Sequence, residues 1–219
     1  MRTFLRDNGL TIALLLLFAG SVIGHFLAGH AFENQQLAEH GLPPIGLFAY
    51  FSHPQFLSTL FENWESEFLQ MATYVVLTAY LFQRGSSESA DPDEPPRDER
   101  TARSSLTGKS PGLLRHGAVK RWIYGHSLGI VLFLLFVASF VAHWLFSAKE
   151  AATEALTHGQ EPVGTMAYLV DAGFWFESFQ NWQSEFLSTA VLIVLSIYLR
   201  EKRSPESKPV GAPHEQTGI

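Results

Sequence analysis

The sequence predicts an all-α integral membrane protein: a bundle of four transmembrane helices built from two tandem copies of one helical hairpin. Three observations predict it. Four apolar runs are spaced along 219 residues, the chain repeats itself at a fixed offset, and its basic residues gather on one side of the expected membrane.

The first run, Leu10 to Leu27, is interrupted only by Thr11, Ser21, His25 and small residues. Phe68 to Phe82, Leu128 to Phe146 and Phe186 to Leu199 contain no charge. With helical flanks, each reaches the ~20 residues that cross a ~30 Å hydrocarbon core. The charged start of the first run also fits a secretory signal. Its recurrence inside the chain, at residues 128–145, argues against that.

Shifting the chain by 118 residues aligns Leu10–Phe82 with Leu128–Arg200 without a gap, and 28 of 73 positions are identical. Rare residues are among them. His25 matches His143, His40-Gly41 matches His158-Gly159, and Pro44, Gly46 and Tyr50 match Pro162, Gly164 and Tyr168. Asn63-Trp64 and Ser66-Glu67-Phe68-Leu69 match Asn181-Trp182 and Ser184-Glu185-Phe186-Leu187. Two spans per copy insert both copies the same way, which is the parallel class of repeat with a pseudo-two-fold along the membrane normal.

Orientation follows from Lys and Arg. Of 15 such residues, Arg2 and Arg6 precede the first span, eight lie between spans two and three, and four follow span four. Lys149 alone lies between spans three and four. Basic flanks stay cytoplasmic, so both termini are expected inside and both hairpin loops outside.

The first helix should run from about residue 9 to 40, with Gly41 as its stop. At 1.5 Å per residue it is ~48 Å long and overshoots the bilayer by ~15 Å. Pro43-Pro44 and Gly46 make a turn, and the return helix should begin near Pro54. The resulting organisation is a hairpin at 1–83, a linker at 84–117, a second hairpin at 118–203 and a tail at 204–219. Linker and tail are rich in Ser, Pro and mixed charge, a composition that reads as disordered.

Candidate site residues follow from helical spacing. Asn63, Ser66, Glu67 and Gln70 fall on one face, and Asn181, Ser184, Glu185 and Ser188 form the twin stripe. His25 shares a face with Phe18 and Ser21, and His143 with Phe136 and Ser139. His25, Glu67, His143 and Glu185 are expected at similar depth near the outer leaflet.

Three readings of this cluster stay open. It ties helices together by hydrogen bonds. It binds a metal through two His and two Glu, or a haem through two His. Or it passes protons or solutes, as ionisable groups inside a membrane often do. Polar ties without catalysis are the leading reading.

Trp64 and Trp182 are expected as interfacial anchors rather than pocket walls, and Phe174-Trp175-Phe176 fits the same belt. His40 and His158 stand where they cap helix ends, with a second ligand pair as the alternative. His30 and His53 lack twins and carry little weight. Without cysteine there is no disulfide or thiolate metal site. No phosphate loop, nucleophile elbow or dinucleotide fingerprint is present, so a non-enzymatic role is expected. The linker's basic residues are interleaved with acids, which does not suit nucleic acid. The lipid bilayer is the expected partner, and the sequence does not choose between a second copy and another membrane protein.

The Asn-Trp-x-Ser-Glu-Phe core following a His-bearing span, present in both halves, resembles an uncharacterised family of small bacterial membrane proteins. The resemblance implies a bacterial inner-membrane setting and supplies no activity.

Overall fold

The computed structural model describes residues 2–95 and 117–218. Most of the expected linker, residues 96–116, lies outside the described residues, as do Met1 and Ile219. Among the described residues there are eight helices and no strand. They are α1 (Arg2–Asp7), α2 (Gly9–Glu39), α3 (Leu47–Tyr50), α4 (Pro54–Leu77), α5 (Ala118–Gly125), α6 (Ser127–Thr157), α7 (Thr165–Tyr168) and α8 (Ala172–Tyr198).

Helices α2 and α6 are each 31 residues, ~47 Å at 1.5 Å per residue. Both are long and apolar enough to cross a membrane, the only two such helices among the described residues. Their apolar side chains face outward: Leu15, Leu16 and Leu17 are 60–68 % exposed. A core helix of a water-soluble protein would bury such residues.

Helices α4 and α8 are less apolar, because each carries the polar motif in its N-terminal half. Helix α4 also stops at Leu77, five residues short of the expected end of the apolar run at Phe82. Beyond it the Ala79 and Tyr80 N–H groups reach only three residues back, to the Val76 and Leu77 carbonyls at 3.2 and 3.0 Å. Thr78 donates its hydroxyl to the Tyr74 carbonyl at 2.8 Å, and the Gln83 N–H goes to the Ser89 hydroxyl at 2.8 Å. The charge-free stretch of α4 is thus Phe68–Leu77, about 15 Å of helix.

The chain divides into two compact units, residues 1–60 with 142–168, and residues 61–141 with 169–219. In the first unit α2 ends as its sequence directs. Gly41 adopts φ +69°, the left-handed conformation that suits glycine. Leu42 N–H reaches back to the Leu37 carbonyl at 2.8 Å, and Gly41 N–H to that of Ala38 at 3.1 Å. This is the Schellman stop. The end of α6 repeats it at Gly159, with φ +68° and Gln160 N–H on the Ala155 carbonyl at 2.8 Å.

The turn after α2 is held by Asn34. Its side-chain oxygen accepts the Ile45 N–H at 2.6 Å while its amide donates to the Ile45 carbonyl at 3.1 Å. His30 Nε2 lies 2.8 Å from the same carbonyl. Beneath this clamp Tyr50, Phe26 and Phe56 form a buried aromatic core. Tyr50 fits only because residue 29 is glycine: a Cβ there would stand 2.5 Å from the Tyr50 hydroxyl. On α6 the corresponding small residue is Ser147, whose hydroxyl bonds the Ser58 hydroxyl at 2.7 Å.

The second unit holds α8, α4 from residue 61 and α6 up to residue 141. Asp171 caps α8 by accepting the Gly173 N–H at 2.8 Å. The tail has no apolar pattern, and polar contacts hold it. Lys208 is 1 % exposed, and its ammonium donates to the carbonyls of His214 and Gln216 at 3.0 Å each, and to that of Gly85. Ser86 and Ser196 share a hydroxyl bond of 2.8 Å, and Gly218 N–H donates to the Ser86 carbonyl at 2.9 Å.

Candidate functional site

The second unit contains a ladder of polar contacts between α4 and α8. Asn181 donates its amide to the Glu62 carboxylate. One residue on, the Trp182 indole N–H donates to Glu65 Oε1 at 2.9 Å. Further along, the Gln70 amide donates to the Thr189 hydroxyl. The partners ascend together on both helices, so α4 and α8 run parallel. From Glu62 to Gln70 and from Asn181 to Thr189 is the same rise, about 12 Å.

Burial marks the working face of α4. Ser58, Glu65 and Ala72 are buried and recur at helical spacing. Glu65 is fully buried and Glu67 is exposed. The sequence expectation singled out Glu67, because its twin Glu185 is identical. The carboxylates with hydrogen-bonded partners on α8 are Glu62 and Glu65. Their twins are Gln180 and Gln183, so a search for identical pairs passes over them. Polarity rather than identity is the signal that finds them, since two carboxyls one turn apart on a helix with membrane-length neighbours call for partners.

The remaining expected residues are placed as follows. Ser66 and Ser184 donate to the carbonyls of Asn63 and Asn181 on their own helices, both at 2.9 Å. Glu67 and Glu185 are near enough for their charges to repel. His25 Nε2 lies 3.0 Å from the Thr59 hydroxyl. The Thr59 hydroxyl also lies 3.0 Å from the Gln55 carbonyl and 3.2 Å from that of Phe56. His143 is fully buried. His25 and His143 belong to the first unit, Glu67 and Glu185 to the second. Among the described residues, no three or more His, Asp or Glu are grouped to hold a metal ion.

Two expectations about aromatic residues change. Trp182 is not simply an interfacial anchor. Beyond its bond to Glu65, its ring packs on Phe179 at 5.3 Å and Phe136 at 6.3 Å. Phe174 is fully buried against Phe140 at 5.6 Å, while Phe176 is 70 % exposed. Of the three, only Phe176 suits a lipid belt. Trp175 turns its indole N–H to the Leu169 carbonyl at 2.9 Å.

His40 accepts the capping role, with Nδ1 2.9 Å from the Gln36 carbonyl. It also meets its twin: the His40 and His158 rings stand 5.5 Å apart. The unmatched His53, given little weight from sequence, sits in a charged corner of the first unit. Its Nε2 is 3.9 Å from Glu33, its ring stacks on Tyr50, and its Nδ1 is buried without a partner among the described residues. Burial holds the His53 pKa below the usual imidazole value, Lys149 lowers it further and Glu33 opposes both. Burial, with the Glu33 and Glu150 charges, pushes the Tyr50 phenol up to about 12.

Taken together, the geometry of the motif provides helix-to-helix hydrogen bonds between α4 and α8. No curated protein and no solved structure matches the chain. One family model does, that of a domain of unknown function, DUF6766, over residues 1–219, and the chain belongs to that family.

Proposed function

We propose that this is a non-enzymatic, four-span membrane protein in which two duplicated hairpins are tied together by the polar motif of their second helices. The observation that carries it is the register of the ladder. Its three contacts join residues 119, 117 and 119 apart in sequence, straddling the 118-residue repeat. Parallel helices related by a two-fold along their length meet at equivalent residues, so contacts cluster around the repeat offset. An inverted repeat would set them antiparallel.

Element positions support the duplication independently. Helices α2 and α6, α3 and α7, and α4 and α8 start 118 residues apart, at 9 and 127, 47 and 165, and 54 and 172. In this reading α4 and α8 also cross the bilayer and turn their polar faces to each other. Hydrogen bonds of this kind contribute ~0.6 kcal/mol each on average in membrane bundles, up to ~1.7.

The basic-residue distribution supports a cytoplasmic location for both termini. Reporter fusions after Gly41 and Gly159 are expected to read outside, and fusions after residue 100 and at the C-terminus inside. An outside signal after residue 100 contradicts the four-span arrangement.

A further inference from the structure

A cleft of 280 Å³ lies in the second unit, between the C-terminal turns of α4, the loop that follows and α8. Its walls are mostly apolar, with Leu77, Phe82, Phe186 and Ile193 among them. At one end stands a single carboxyl group, Glu88. Its Oε2 accepts the Tyr74 hydroxyl at 2.6 Å. Its Oε1 is buried and has no partner among the described residues. Glu88 makes no ion pair among those residues either.

An unpaired carboxylate beside apolar walls costs free energy unless a positive group joins it. The charge of Glu206 also reaches the Tyr74 hydroxyl, so this end of the cleft is negative twice over. The apolar walls, one fixed acceptor and a volume near the lower end of the ~300–1,000 Å³ typical of ligand sites define the occupant. We propose that the cleft binds a small organic ammonium: a primary amine carrying an aromatic or short aliphatic body. Tyr74 holds the carboxylate in place by its hydroxyl. With Oε2 taken by Tyr74, Oε1 is the acceptor left for the ammonium, and the rings of Phe82 and Phe186 line the cleft for the apolar body.

The test uses the full chain in nanodiscs of phosphatidylcholine, with empty nanodiscs as reference for partition into lipid. Titration calorimetry compares 4-phenylbutylammonium with 4-phenylbutanol, which keeps the apolar body and lacks the charge. Saturable binding of the amine is expected, with the alcohol at least tenfold weaker. Glu88→Gln should weaken the amine at least tenfold. Ala190→Phe, which fills the cleft and leaves Glu88 intact, should do the same and stands in if the first variant does not fold. Equal binding of amine and alcohol overturns the proposal, as does undiminished amine binding in both variants, or amine uptake no greater than by empty nanodiscs.

Discussion

The indole N–H of Trp182 donates across 2.9 Å to the carboxylate of Glu65, a residue with no exposed surface. A buried carboxyl left without its donors costs more than the bond itself contributes in water. The pair therefore constrains both helices. Trp182 must stay on the α8 face toward α4 for Glu65 to keep this donor. Trp182→Phe keeps the ring and removes the donor. It is expected to destabilise the protein by ~1–3 kcal/mol, seen as a lower melting temperature in detergent. An unchanged melting temperature would show that the indole bond carries no stability.

The aromatic core under the first turn depends on Gly29. With Tyr50 buried and a Cβ at residue 29 meeting its hydroxyl, Gly29→Ala should destabilise by ~1–3 kcal/mol through overpacking. Gly24→Ala on the same helix meets nothing within 4 Å. It should be neutral or stabilising by up to ~1 kcal/mol from helix propensity. Equal effects at the two positions would contradict the packing account.

His53 should make stability depend on pH. Burial lowers its folded-state pKa. The unfolded chain therefore binds a proton near pH 6.5 that the folded chain resists. Stability from this residue is full above that pH and is lost as pH falls below it. Between pH 7.5 and 5.5 the melting temperature of the natural protein should drop further than that of His53→Gln. Parallel curves for the two would remove His53 from the account.

Lys208 clasps the tail to the segment after α4. Removing its ammonium in Lys208→Met leaves the carbonyls of Gly85, His214 and Gln216 without their shared donor. The amides of Gly85 and Gly218, bonded to Thr217 and Ser86, should then exchange with deuterium at least tenfold faster. Exchange unchanged at both would mean that the clasp holds without Lys208.

Much of the fold was legible because a few residues have one structural use each. Gly41 and Gly159 end their helices by taking positive φ, Pro54 opens α4, and the apolar runs give α2 and α6. The end of α4 was not legible. The run to Phe82 looks continuous by composition, yet past Leu77 the amides of Ala79 and Tyr80 close three-residue turns and that of Gln83 goes to the Ser89 hydroxyl. The candidate site was legible in place but not in its members. The Asn-Trp-x-Ser-Glu segment does hold the contacts, yet Glu62 and Glu65 make them where the symmetric Glu67 was expected. Two helices meeting side by side need complementary partners, an acceptor against a donor, and identical carboxylates do not supply that. The Lys208 clasp leaves no pattern in sequence, because backbone carbonyls far along the chain build its cage.

The most direct test of the tied repeats is a double-mutant cycle between Glu65 and Trp182. Thermal or denaturant stability in detergent would be measured for Glu65→Gln, Trp182→Phe and the double variant. Asp171→Ala paired with Ser196→Ala, at opposite ends of α8, gives a distant reference. Residues sharing a bond couple by ~0.5–3 kcal/mol, whereas distant ones add within ~0.5. The account predicts coupling of at least ~0.5 kcal/mol for Glu65 with Trp182 and additivity for the reference pair. Additivity for Glu65 with Trp182 would mean that these helices are not joined through the motif, and the tied-repeat account would fail.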